Sequence, residues 1–206
     1  MEKETGTYRA LIVAAGCSRR MKTFKQLLML GDKTLLEHSI SRFIEAGIKD
    51  IVVVVGCRKD ELIPILNRLG VQIVVNELFD QKDMLESVKC GLRVMPADTR
   101  GILLSPADIP LIHPDTIRNI VEAAKLSEAF AVIPSNEGHA GHPLLFGRRI
   151  QQEILKYEGE NGIHSILNKF AKRIDFINVE DSDMLMDIDR PEDYQKLLEV
   201  YEKQNK

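Results

Sequence analysis

The sequence carries no excess of either charge. Its 28 lysines and arginines stand against 31 aspartates and glutamates, a formal net charge of −3. A general nucleic-acid or membrane-surface binder would need a basic face, so neither partner is expected. Long apolar runs are also missing. The purest is Ile51–Val55, far short of the ~20 residues of a membrane span. Cysteine is scarce: Cys17, Cys57 and Cys90 lie far apart and are odd in number. They make neither a disulfide framework nor a zinc-type Cys-x-x-Cys pair, so a reducing cytoplasm is expected. The charged stretch Met1–Thr7 does not read as a secretory leader. What is present is ordinary globular composition, 44% apolar and 29% charged. At 206 residues it predicts one domain over 1–206 with a real core.

Short β-branched runs alternate with longer amphipathic stretches. The runs are Ala10–Val13, Ile51–Val55, Val71–Val75, Ile102–Leu104 and Ala129–Ile133. They are apolar without alternation, as in a sheet covered on both faces. Helical spacing fills the gaps at Leu35–Ala46, Asp60–Leu69, Met84–Met95 and Pro114–Leu126. This order predicts an α/β, three-layer sandwich with a mostly parallel, Rossmann-like sheet. Beyond Pro134 the pattern loosens. Ser135–His142 reads as a loop, Pro143–Phe146 as a short strand, and Arg173–Val179 as an alternating strand. Helices are predicted at Gly147–Tyr157, at Ile163–Phe170, and from Pro191 to Lys203. Ligands of such sheets bind beyond the carboxyl ends of the strands. The loops after Val13, Val55, Val75, Leu104 and Ile133 are therefore the ones to inspect.

The first of these runs Ala14-Ala15-Gly16-Cys17-Ser18-Arg19-Arg20-Met21-Lys22-Thr23-Phe24-Lys25. Small residues at 14–16 allow close backbone approach to an anion, and Arg20 and Lys25 add fixed positive charge. A polyphosphate would suit it, and so would the plainer alternative of a basic surface loop. The spacing is neither a P-loop nor Gly-x-Gly-x-x-Gly. Past the fourth run, Pro106-Ala107-Asp108-Ile109-Pro110 holds one acid between two prolines. A further acidic stretch, Asp187-Ile188-Asp189-Arg190-Pro191-Glu192-Asp193, could equally be a helix start. Two loop histidines, His139 and His142, lack a third ligand, so no zinc site is expected.

These motifs resemble those of the molybdenum cofactor cytidylyltransferase and molybdopterin guanylyltransferase-like nucleotidyltransferases. The first loop matches their Leu-x-Ala-Ala-Gly-x-Ser-x-Arg-Met-Gly-x-x-Lys signature, and matches continue to about Tyr194. The resemblance implies the fold of nucleotide-diphospho-sugar transferases. It implies that Ala14, Ala15, Gly16, Arg20, Lys25 and Ser87 hold a nucleoside triphosphate. Asp108 would bind both nucleotide and catalytic Mg²⁺, with Asp189 as its partner and Asp187 in reserve. His142, in Gly141-His142-Pro143, would face the acceptor. Arg20, Lys25 and Asp108 are the expected catalytic residues. Ala15 resembles the cytidylyl version of the motif, which implies CTP, with the terminal phosphate of the molybdopterin cofactor as acceptor. Two alternatives stay open: transfer to a sugar or polyol phosphate, and a non-catalytic carrier delivering the cofactor to a molybdoenzyme. Three positions depart from the pattern. Lys22 and Asp83 replace glycines and are expected to pair across the mouth of the site. His164 replaces an arginine.

Overall fold

The expected strands all form, in a computed structural model that describes residues 6–80, 84–159 and 161–204. In chain order the strands are β1 (Thr7–Ala14), β2 (Met29–Leu30), β3 (Lys33–Thr34), β4 (Ile51–Val55), β5 (Gln72–Val75), β6 (Thr99–Pro106), β7 (Ala131–Asn136), β8 (His139–Ala140), β9 (Leu144–Gly147) and β10 (Ile174–Asn178). The helices are α1 (Leu35–Glu45), α2 (Lys59–Leu69), α3 (Met84–Arg93), α4 (Pro114–Leu126), α5 (Arg148–Lys156), α6 (Gly162–Lys169) and α7 (Pro191–Gln204). The main sheet has the order β10-β7-β9-β6-β1-β4-β5, with β8 paired to β7. Pairs β1–β4, β1–β6, β4–β5 and β7–β10 are parallel, and β9 runs antiparallel between β6 and β7.

Period-two alternation sends the strand side chains to two covered faces. Ala10, Ile12, Val53 and Val55 pack with Leu36, Ile40, Leu62 and Ile117 on one side. Leu11, Val52 and Val54 pack with Leu85, Val88, Ile150 and Ile166 on the other. Two elements are not legible in the sequence. The β2–β3 hairpin has strands of two residues each, too short to show a period. The stretch Ser135–His142 is not a plain loop: β7 continues to Asn136 and β8 folds back on it, Asn136 opposite His139. Its turn, Glu137-Gly138, has both residues at positive φ (49° and 83°), the geometry that matches strand twist. A Glu in the first of those positions conceals it.

A third apolar cluster seats α7. Leu197 is fully buried, and Tyr194 Oη donates to the Met29 carbonyl at 2.6 Å. Buried His38 completes this corner. Its Nε2 lies 2.6 Å from the Leu30 carbonyl, and its ring meets Tyr201 edge-on. A carbonyl can only accept, so Nε2 carries a proton. Burial lowers the His38 pKa, and Arg42 and Lys33 push the same way against the Leu30 bond. The unfolded chain therefore takes up a proton below about pH 6.5 that the folded chain resists. This contribution is complete above that value and is lost as the pH falls. Denaturant midpoints between about pH 7.5 and 5.5 should drop less in His38→Gln, whose amide still donates to Leu30, than in the native chain. Equal slopes would remove His38 from the acid response.

Candidate active site

The chain leaves β1 into a loop whose shape is set by one buried side chain. Gln26 is 4% exposed. Its Nε2 donates to the carbonyls of Gly16 (3.0 Å) and Ala14 (3.4 Å), and its Oε1 accepts from Ser18 Oγ at 3.0 Å. Ser18 Oγ in turn accepts from the Lys25 N–H at 3.1 Å. Between these anchors Arg19–Met21 make a 3-10 turn, flanked by left-handed Ser18 and Lys22 with φ 54° and 58°. Such a left-handed position favours glycine, and Lys22 adopts it here.

The turn carries the cations to two acids. Lys25 Nζ lies 2.5 Å from Asp108 Oδ2 and 3.1 Å from Asp189 Oδ1, and Arg20 is 2.8 Å from Asp189 Oδ2. Backbone bonds impose this convergence. Ala107 N–H donates to the Val13 carbonyl (3.0 Å), and Ile188 N–H donates to the Asp108 carbonyl (3.2 Å). The helix-start alternative for the acidic stretch is resolved between its members. Asp193 accepts from the N–H groups of Asp189 and Arg190 at 3.2 and 2.8 Å, which leaves the Asp189 carboxylate to the site.

Two clefts of about 370 and 360 Å³ adjoin here and share Gly16, Arg20, Lys25, Phe79 and Asp189. Ala15, Ser87 and Asp108 line the second. Asn76, 2% exposed, holds that wall. Its Nδ2 donates to Ser87 Oγ at 2.9 Å, and its Oδ1 accepts from Leu78 N–H at 2.9 Å. Ala14 does not line either cleft; it is buried at 1% exposure and contributes only its carbonyl, to Gln26. His142 and Asp187 also lie outside the lining. Burial lowers the pKa of His142, while the Leu104 carbonyl and the charges of Asp108 and Asp187 oppose the shift. The imidazole is therefore neutral, and its Nδ1, like Asp108 Oδ1, is buried without a hydrogen-bond partner. His164 is carried on α6, apart from both clefts.

Among the described residues no cluster of three or more His, Cys, Asp or Glu side chains is set to hold a metal ion. Asp108 and Asp189 nonetheless fit a divalent ion. They are hard oxygen donors converging on one cationic point, and one of their oxygens is buried and unpaired. Magnesium commonly takes one or two carboxylates and completes its shell with phosphate oxygens and water.

The residues that sequence reasoning missed are structural partners of those it found. Gln26 and Asn76 are buried polar groups whose bonds cross between loops, which no linear motif displays. Arg19 forms an ion pair with Asp80 across the rim. The expected Lys22–Asp83 pair involves Asp83, which lies outside the described residues. The expectation for the cysteines is overturned. Cys17 and Cys57 are joined as a disulfide with Cα atoms 5.2 Å apart, and Cys90 is free. The reason is strand adjacency: β1 and β4 pair with Ala14 opposite Val55, so residues just beyond their ends become neighbours.

A sheet of this topology, with a basic loop after β1 facing one acid past β6 and a second just before α7, defines a nucleotide-transferring α/β enzyme. The profile of the MobA-like NTP transferase domain matches residues 10–174, and the chain belongs to that family of nucleotidyltransferases. The molybdenum cofactor cytidylyltransferase of Escherichia coli strain K12 is 28% identical over 195 residues, covering 93% of this chain and 95% of that protein. The bifunctional protein GlmU of Rhodococcus opacus is 32% identical over 157 residues, 73% of this chain. The chain spans about 31% of that GlmU's length. Among solved structures, a nucleotidyl transferase from Methanothermobacter superposes with TM-score 0.83 at 23% identity, covering 96% of this chain and 98% of that one. The mycobacterial protein Rv0371c, solved in complex with manganese, superposes with TM-score 0.78 at 22% identity over 95% and 99% of the two chains. No described helix is long and apolar enough to cross a membrane.

Proposed function

We propose that this chain, as one nucleotidyltransferase domain over 1–206, moves CMP from CTP to the terminal phosphate of a molybdopterin-type cofactor. The observation that carries the reading is the convergence of Arg20, Lys25, Asp108 and Asp189 beside the Ala14-Ala15-Gly16 loop. A phosphate oxygen of the acceptor attacks the α-phosphorus, the bond to the bridging oxygen breaks, and pyrophosphate leaves. The attacking oxygen is already ionised, so the site needs no general base. Its work is alignment and charge neutralisation. Arg20 and Lys25 bind the triphosphate and stabilise the charge that accumulates on pyrophosphate. Asp108 and Asp189 would hold Mg²⁺, which supplies Lewis-acid neutralisation of phosphate oxygens. Neutral His142, close enough to feel the Asp108 charge, would face the acceptor. The finer substrate reading is supported by Ala15 and by a cytidylyltransferase relative of matching length. The shared family favours catalysis over the carrier alternative.

Calorimetry with each nucleotide in the presence of Mg²⁺ tests the base assignment. CTP should bind at least about tenfold more tightly than GTP, a difference of ~1.4 kcal/mol. Equal affinities, or a preference for GTP, would remove the cytidylyl assignment. The second reading, transfer to a sugar or polyol phosphate, is favoured by the GlmU match. Pyrophosphate release with a sugar phosphate but none with molybdopterin would establish it.

A further inference from the structure

Cys17 stands inside the phosphate-binding loop, between Gly16 and Ser18, and lines the first cleft beside Arg19 and Arg20. Cys57 follows β4 in the neighbouring loop. Its backbone N–H donates to the Ala15 carbonyl at 3.1 Å. The two loops are packed as well as bonded. A Cβ on Gly56 would meet Phe79 at 2.6 Å and the Ala15 oxygen at 3.0 Å, so position 56 accepts only glycine at this approach. The Arg58 guanidinium, next after Cys57, lies 4.6 Å from the Phe24 ring centroid and ties the two loops again. The two sulfurs are thus held together by strand adjacency and loop packing, and both residues are only partly buried. The thiolate is the form of a cysteine that attacks disulfides.

We propose that Cys17 and Cys57 form a thiol–disulfide exchange site at the mouth of the nucleotide cleft. Its co-substrate is a low-molecular-weight disulfide of the glutathione class. The Cys17 thiolate attacks one sulfur of that disulfide, and one thiolate leaves, so Cys17 carries a mixed disulfide. The Cys57 thiolate then attacks the Cys17 sulfur, the second thiolate leaves, and the Cys17–Cys57 bond closes. Two protein thiols lose two electrons and two protons, and the small disulfide becomes two small thiols. The intermediate places a bulky, charged adduct in the cleft that the triphosphate would fill, so nucleotide and exchange compete for one space. Only that competition rests on the proposed function; the exchange itself rests on the cysteines.

The experiment starts from fully reduced full-length protein mixed with oxidised glutathione, followed by intact mass and peptide mapping. The expected product has lost two hydrogens, is linked between Cys17 and Cys57, and leaves Cys90 as a thiol. Cys57→Ser should stop at one glutathione on Cys17, and Cys90→Ser should behave as the native chain. CTP with Mg²⁺ at about ten times its Kd should slow the adduct at Cys17 about tenfold, by simple occupancy. Three thiols persisting at equilibrium with excess oxidised glutathione, or modification confined to Cys90, would overturn the exchange site. Closure of the Cys17–Cys57 bond at an unchanged rate with saturating nucleotide would uphold the exchange site and overturn the nucleotide placement instead.

Discussion

Lys25→Met should turn a protein that ignores free divalent metal into one that binds it, while weakening nucleotide binding. In the native site Lys25 Nζ occupies the cationic point between Asp108 and Asp189. A metal ion arriving alone must displace an ammonium that is tethered and therefore always present. A metal–nucleotide complex meets a different balance, because its phosphates receive Lys25 and Arg20 as the carboxylates are released. Methionine keeps the length and apolar stem of the side chain and removes the charge. A charge-assisted hydrogen bond contributes about 1.5–3 kcal/mol, so triphosphate affinity should fall roughly 10- to 100-fold. The variant also leaves two carboxylates facing each other with side chains only 14% and 27% exposed. Removing one partner of such a cluster costs less than the fully buried case because solvent screens part of it, about 1–2 kcal/mol. That loss should be recovered by millimolar Mg²⁺ or Mn²⁺ without nucleotide. Calorimetric titration of Mn²⁺ and thermal melts with and without metal read both effects. Tight metal binding by the native chain alone would dismiss the idea that Lys25 holds the cation position.

How far the sequence can be read follows from the range of each interaction. The strand at Ile51–Val55 and the helix at Pro114–Leu126 have the bounds expected, because a buried run and a period of 3.6 are local signals. Asp108 and Asp189 stand out by motif and loop position, but nothing local joins residues so far apart in the chain. Their meeting depends on the backbone bond from Ile188 to Asp108 and on Asp193 capping the last helix in place of Asp189. Gln26 reads as an ordinary residue after the lysine. Its importance lies in three bonds to a loop folded back over it, visible only once Ser18 and Lys22 turn left-handed. The cysteine pair is the instructive failure. Spacing rules ask whether cysteines are near in sequence, whereas these two are 40 residues apart and neighbours through parallel pairing. A parallel β1–β4 pair brings the residues just past both strand ends together, so the pairing order carries the signal that spacing lacks.

Asp108→Asn should cost roughly 10²-fold or more in turnover, the scale seen when charge stabilisation at a reacting centre is lost. The fold should survive. Asparagine is nearly isosteric, and its carbonyl oxygen can still accept from Lys25 Nζ in place of Oδ2. Nucleotide binding without metal should hold or strengthen, since a negative charge near the triphosphate has gone. The defect should therefore appear in kcat and in the metal concentration needed for half-maximal rate, with little change in melting. Asp187→Asn is the matched control. That side chain acts on His142 and is not among the cleft-lining residues, so its loss should change the rate only a few-fold. Asp189→Asn should fall with Asp108→Asn, and more steeply at low metal, because Asp189 also anchors Arg20 and Lys25. Because Asp108 and Asp189 act on one centre, the double change should cost little more than the worse single change. Near-normal turnover in Asp108→Asn would reject the metal-binding role, and a large loss confined to Asp187→Asn would move the site to the reserve carboxylate.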